Sequence, residues 1–320
     1  MSANKKTPDV DDTTVQILTH ITDQLLSEQR RSRRWGIVFK LALMAYLAVF
    51  LVAALAPGWE IWQSGARAHA GLARIEGKIA ANAKANADRI IKGLRAAYDN
   101  QHMQALVLEI DSPGGSPVQA EMIHRELKRL KKDHPDQPIV AVIDDLGASA
   151  AYYIAAAADD IYASRASLVG SIGVRLDGFG FDHLINAIGI ERRLYAAGEH
   201  KGLLDPFLPV DAVAEARVRK SLADVHRQFI DVVREGRGER LADDDSLFSG
   251  LFWTGEEALS LGLVDGIGDR RYVLSEVLDQ EHGIDYTPLQ WSHDLREFLG
   301  ATLARGLHSV LAEWTAWHLQ

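Results

Sequence analysis

The alternation of apolar and polar positions divides this chain before any motif is considered. From Leu41 to Pro57 the sequence LALMAYLAVFLVAALAP runs 17 residues without a charge, and Trp35 to Phe39 extend it upstream past a single Lys40. Trp35 to Pro57 is 23 residues. As a helix this is about 35 Å, enough to cross a hydrocarbon core of about 30 Å. Lys40 lies near one end, where it can snorkel to the headgroups, and Trp35, Trp59 and Trp62 fall where interfacial aromatics belong. The competing reading is a buried core helix, but few soluble helices are so uniformly apolar. Arg30, Arg31, Arg33, Arg34 and Lys40 cluster before the span, whereas the far flank opens with Glu60 and then Arg67. The positive-inside rule therefore puts residues 1–34 in the cytoplasm and the chain after about residue 58 outside. A cleaved signal peptide is the rival, since Ala54-Leu55-Ala56 resembles a cleavage site. Pro57 follows it directly, however, and a charged leader of 34 residues is long for such a peptide. The pattern predicts an uncleaved single transmembrane helix.

The rest divides into a cytoplasmic tail (1–34), the transmembrane helix (35–57), a stalk (58–69), a main domain (70–284) and a C-terminal segment (285–320). In the main domain, strand-like and helix-like patterns alternate. Gly71 to Gly77 reads as a first strand and turn, and Asn86 to Asp99 as a helix with Ile90, Ile91, Leu94 and Ala97 on one face. Ala105–Ile110 reads as a buried strand, followed by a turn at Asp111–Ser116 and a helix through Lys132. Ile139–Ile143 is another buried strand, Asp144–Ala148 a loop and Ser149–Ala157 a helix. Ile161–Ala163 and Arg192–Ala196 are short strands, and a long helix spans about 210 to 235. Such alternation favours an α/β fold with mostly parallel strands. In the C-terminal segment, Leu295, Leu299, Leu303, Leu307, Val310 or Leu311, Trp314 and Trp317 recur at helical spacing, which predicts an amphipathic helix over 293–318. It packs on its own domain, on a neighbouring subunit or on the membrane.

Composition changes this picture in three places. Of the 320 residues 47% are apolar and 25% charged, which supports a packed core and argues against wholesale disorder. The net charge of -9 argues against nucleic acid as a partner. It is also uneven: residues 1–40 carry seven Lys/Arg against five Asp/Glu, so the remainder carries -11. Cysteine is absent, which removes disulfides, thiolate catalysis and Cys-based metal sites. The sequence contains no Walker, Rossmann or HExxH motif, and no cofactor or metal is expected.

Two places have chemical character. Ser149 begins a helix of small residues, where unsatisfied N–H groups and the positive dipole end favour a developing oxyanion. The alternative is that Ser149 is a plain N-cap, and this feature alone does not choose. Ser112-Pro113-Gly114-Gly115-Ser116 ends a strand, where paired glycines leave backbone N–H groups open to a ligand. An ordinary tight turn gives the same pattern.

Together these residues carry a resemblance. Ile110-Asp111-Ser112-Pro113-Gly114-Gly115, then Gly147 to Ala155 (GASAAYYIA), Leu168-Val169-Gly170-Ser171-Ile172-Gly173-Val174 and Gly198-Glu199-His200-Lys201 resemble the signal peptide peptidase A family, in order. Thr254 to Asp265 (TGEEALSLGLVD) resembles that family's closing signature. The resemblance implies a membrane-anchored serine endopeptidase with a Ser–Lys dyad on a Clp protease/crotonase-like fold of repeated ββα-type units. It makes Ser149 the nucleophile, Lys201 the general base and Ser171 the residue that orients the lysine. The oxyanion hole would use N–H groups of Gly114 or Gly115 and of Ala150. A lysine at its reference pKa of about 10.4 is only about 0.04% neutral at pH 7, so a lysine base needs burial or nearby positive charge. Leu203, Leu204, Phe207 and Leu208 could desolvate it. The family often has glycine after the nucleophile, where this chain has Ala150; alanine is compatible with a helix but narrows the pocket. Implied further are peptide substrates such as remnant signal peptides, a bacterial inner (plasma) membrane with the catalytic domain periplasmic, and a homo-oligomeric ring or dome, often an octamer. A site shared between subunits is possible in such single-domain chains. A Ser–His pair using His200 or His183 lacks a recognisable triad context. A crotonase-like acyl-CoA enzyme and a non-catalytic scaffold of the same fold remain the other classes.

Overall fold

The computed structural model describes residues 35–50, 67–280 and 282–288. The chain forms two compact units, residues 1–63 and 64–320. In the first, residues 35–50 are helical with exposed side chains. Among the described residues no helix is long and apolar enough to cross a membrane. The remainder of the expected span, 51–57, lies outside them, as do the tail 1–34 and the C-terminal segment 293–318.

The second unit is a sheet flanked by helices. Its elements are β1 (His69–Glu76), α1 (Ala87–Tyr98), β2 (Met103–Ser112), α2 (Pro117–Asp133), β3 (Ile139–Ala148), α3 (Ala150–Ala155), β4 (Asp160–Ala163), β5 (Leu168–Gly170), α4 (Asp182–Ala187), α5 (Ala212–Arg237), β6 (Phe252–Thr254), α6 (Gly255–Ser260), β7 (Gly266–Ile267), α7 (Arg270–Tyr272) and β8 (Gly283–Asp285). The sheet runs β6-β5-β3-β2-β1-β8, with β4 between β3 and β7. Every pairing is parallel except β5 with β6. The α/β architecture expected from the alternating pattern is the one observed.

Period-two alternation sorts the strands between two cores. Leu106, Leu108 and Ile110 of β2, with Ile139, Ala141 and Ile143 of β3, face the main core, where Ile90 and Leu94 of α1, Ile123 and Leu127 of α2 and all but Tyr153 of α3 are buried. Val107, Val140 and Val142 face the other way, against Val273 and the helical turn after α7. Side chains fix where helices begin. Asn86 accepts from Arg89 N–H at the start of α1, Ser116 caps α2 ahead of Pro117, Asp211 accepts from Val213 and Ala214 N–H at α5, and Thr254 with Glu257 forms a capping box on α6. A buried ion pair locks the end of α5 to the closing motif: Arg237 grips both carboxylate oxygens of Asp265, at 2.7 and 2.8 Å, and donates from Nε to the Gly262 carbonyl.

Three expectations change. The loop read at Asp144–Ala148 is the second half of β3. The strand switches neighbour there: Val140–Ile143 pair with β4 and Leu146–Ala148 with β5. Asp144 and Asp145 fall between the two ladders, where the pairing of β3 with β2 also shifts register. The segment read as a strand at Arg192–Ala196 pairs with no strand among the described residues and is irregular, exposed chain. The helix read to Ala157 closes at Ala155, followed by a turn.

Candidate active site

The site forms where β3 ends. Pairing with β5 carries β3 to Ala148, and α3 begins at Ala150. Ser149 is the single residue between strand and helix. It takes φ 56° and ψ -125°, a left-handed conformation that a non-glycine residue adopts at a cost of about 1–3 kcal/mol. Its side chain makes no capping hydrogen bond to the helix it precedes. The N-cap alternative is thereby answered: Ser149 keeps its hydroxyl free for other use. Its backbone is fixed at both ends, the N–H donating to the Gly170 carbonyl (2.8 Å) and the carbonyl accepting from Tyr153 N–H (3.0 Å).

The glycine turn lies against this residue. Gly114 has φ 88°, and a β-carbon there would sit 2.7 Å from the Ala148 oxygen, 2.7 Å from the Ala150 nitrogen and 2.8 Å from Ser149 Cβ. Only glycine permits that approach. Ala150 N–H is among the first-turn amides of α3, which have no acceptor within a helix. The two expected donors on the turn differ. Gly114 N–H is held by the hydroxyl of buried Ser112 at 3.1 Å. Ile79 bonds to Gly114 O and from Ser116 N, which leaves Gly115 N–H outside that pairing. Gly115, at φ 151°, presses directly on the Ile79 carbonyl, so it too admits no side chain.

Ser171 follows β5 and is also left-handed, at φ 51°, with its N–H on the Leu251 carbonyl (2.8 Å). Structure therefore brings five of the six expected residues together through backbone contacts around the β3–α3 junction: Ser149, Ala150, Gly114, Gly115 and Ser171. Lys201 stands apart. It is exposed, in a turn closed by its own N–H to the Gly198 carbonyl. Of the apolar residues expected to desolvate it, Leu203, Leu204 and Phe207 are exposed, Leu204 to 66%, and Leu208 is half-buried. The turn is braced by Arg192 on Asp205 (2.7 Å) and His200 on Asp211 (3.0 Å). His200 is thus occupied by the cap of α5, and His183 is exposed; neither is paired with Ser149. Sequence reading missed Ser112 and Gly170 as partners of the site, although both lay within the quoted motifs. Among the described residues, no cluster of three or more His, Asp or Glu is placed to hold a metal.

With the geometry in place, comparison with known proteins is informative. Residues 131–284, which include both Ser149 and Lys201, match peptidase family S49. A Synechocystis protein that carries a protease name is 30% identical over 210 residues, covering 65% of this chain and 73% of that one. This chain belongs to peptidase family S49. A serine protease of Arabidopsis thaliana, SPPA of the chloroplast, is 30% identical over 207 residues, 63% of this S49 chain and 30% of that protein. The Na(+)/H(+) antiporter NhaA of Brucella abortus is 45% identical over 181 residues, 57% of this chain. The chain spans about a quarter of that relative's length (24%), so the likeness is to one portion of it.

Proposed function

We propose that this S49 chain is a membrane-anchored serine endopeptidase. The observation that carries the reading is Ser149: a left-handed serine at a strand–helix junction, its hydroxyl unused by the helix, with Gly114 pressed against it. A strained, uncapped serine next to free helix amides is what nucleophilic attack requires.

In the proposed reaction, Lys201 Nζ, neutral, takes the Ser149 hydroxyl proton as Oγ bonds to the scissile carbonyl carbon. The oxyanion that forms is held by the N–H groups of Ala150 and Gly115, with Gly114 shaping the approach. Lys201 then returns the proton to the leaving amine, and the C–N bond breaks. Water, deprotonated by the same lysine, hydrolyses the acyl-enzyme and restores Ser149. Ser171 orients the lysine. Removing one oxyanion donor of this kind costs about 2.7–4 kcal/mol of barrier.

A lysine base must be desolvated. Leu203, Leu204 and Phe207, a few residues beyond Lys201, expose apolar surface in the single chain, which supports a homo-oligomer in which a neighbouring copy covers this turn. The apolar run Trp35–Pro57 with its basic N-terminal flank supports an anchor with the catalytic unit outside the membrane. Membrane-associated peptides, such as remnant signal peptides, are the substrates proposed. Labelling of the full-length protein by a fluorophosphonate tests the reading. Labelling lost in Ser149→Ala is expected; folded wild-type protein that does not label overturns it.

A further inference from the structure

The Gly170–Ser171 peptide group is bonded at both poles. Its carbonyl accepts from Ser149 N–H, and its N–H donates to the Leu251 carbonyl, each at 2.8 Å. Because a peptide unit is planar and rigid, one plane links the nucleophile turn to the segment that enters β6. The residues on either side are left-handed, Gly170 at φ 98° and Ser171 at φ 51°. Rotating that plane by about 180° would carry Ser171 to negative φ, where a serine is unstrained, while glycine at 170 tolerates both orientations. Local backbone preference therefore favours losing both bonds. The two hydrogen bonds oppose that rotation, and packing beside the plane can add to them.

Trp253 is placed to do so. It pairs in register with Val169, on the antiparallel edge of the sheet, and packs against the main core. Its indole fills the space beside Gly170: a β-carbon there would lie 3.1 Å from Cδ1 and 3.6 Å from Nε1. The Nε1 atom is buried with no hydrogen-bond partner. A buried unpaired donor is unfavourable, so the ring's value at this position is its shape. Behind it Gly173 meets Gly250, where a β-carbon would lie 3.1 Å from the Gly250 Cα.

We propose that Trp253 is a positioning residue for the nucleophile. Its indole blocks rotation of the Gly170–Ser171 plane and so holds the Ser149 backbone in its reactive conformation. The inference rests on Ser149 being the nucleophile. It also explains why a short edge strand carries a large aromatic ring whose polar atom has no partner.

The test uses full-length protein in detergent and the time course of fluorophosphonate labelling. Three quantities are read: limiting rate, half-saturating probe concentration and final labelled fraction. Trp253→Phe keeps a flat ring and removes the unpaired donor, so its limiting rate stays within about threefold of wild type. Trp253→Ala lowers the limiting rate by about tenfold or more, with half-saturation nearly unchanged and the final fraction complete. A wild-type limiting rate in the alanine variant overturns the proposal. So does a reduced labelled fraction at wild-type rate, which marks partial unfolding alone. If the alanine variant does not fold, Trp253→Leu, which keeps apolar packing without the flat ring, is held to the same criterion. Ser149→Ala serves as the dark control. Labelling that persists there overturns the nucleophile assignment itself, and this inference with it.

Discussion

The Ser149 turn and the Lys201 turn come from one chain and are built differently. Around Ser149, β3, β5 and α3 are mostly buried, with Asp144, Asp145 and Leu168 the exposed exceptions, and the two left-handed serines, Ser149 and Ser171, are each held by a backbone hydrogen bond. Around Lys201, residues 174–213 are mostly exposed, with apolar side chains such as Phe179, Tyr195 and Leu204 facing outward, and the fixings are ion pairs at the surface. Backbone strain persists only where surrounding packing overdetermines it, and half-buried Ser149 sits between the buried Ala148 and Ala150. A base acting from a long flexible side chain has no such requirement on its own backbone, but it does require a dry neighbourhood. The first need is met within one chain. The second is not met by the exposed turn around Lys201 itself.

The comparison can be broken most decisively at its two ends. Ser149→Ala and Lys201→Ala should each lower peptidase turnover by about 10³-fold or more, and the double variant should be little worse than either, because a dyad acts as a unit. Additive losses would separate the two residues. Gly114→Ala comes next. Its β-carbon would meet the Ala148 oxygen at 2.7 Å in a left-handed backbone, so turnover should fall by about 10²-fold through displacement of the reacting serine. A melting curve and a labelling rate measured on the same sample would expose a variant that only unfolds.

A smaller effect belongs to the open side. Leu204→Lys with Phe207→Ser should lower turnover by about tenfold and reduce the mass seen by sedimentation, while changing thermal stability by only about 0.5 kcal/mol, as exposed positions do. Loss of stability without loss of mass would mean that this face packs on its own chain. The packed side also carries a pH dependence, read on stability and not on turnover. His124 of α2 stacks edge-on against Tyr153 of α3 at 5.2 Å. Burial, aided by Lys128, pushes its pKa down to about 4 from 6.5. The folded state thus prefers the neutral ring. This contribution is fully present above pH 6.5 and is lost as pH falls from 6.5 toward 4, about 3 kcal/mol in all. Unfolding midpoints measured across that window should flatten in His124→Phe.

Much of the packed side is readable in the chain. The apolar runs of β2 and β3 announce buried parallel strands, because a strand covered on both faces has no polar alternation to show. Gly114 and Gly115 announce a turn of unusual backbone, and Ser149 a helix start. What could not be read there is whether Ser149 caps its helix, since capping and nucleophilic serines occupy the same position; the missing capping bond and the left-handed φ set capping aside. The second half of β3 was hidden because Asp144 and Asp145 look like loop residues, and only the pairing with β5 that begins at Leu146 continues the strand beyond them. Arg192–Ala196 looks like a strand because its composition permits one, yet no neighbour offers a ladder. Trp253 carries no signal of its function, since an aromatic residue in a strand is ordinary.

The sequence by itself determined the α/β alternation, the ordered motifs of peptidase family S49 and the identity of the residues offered for chemistry, since these depend on local pattern and residue type. Tertiary structure alone decided that Gly114 lies against Ser149 and Ala150, that the Gly170–Ser171 peptide ties Ser149 to the edge of the sheet, and that Lys201 stands exposed. Those facts depend on contacts between segments distant in the chain, and periodicity along a sequence carries no information about which distant segments meet.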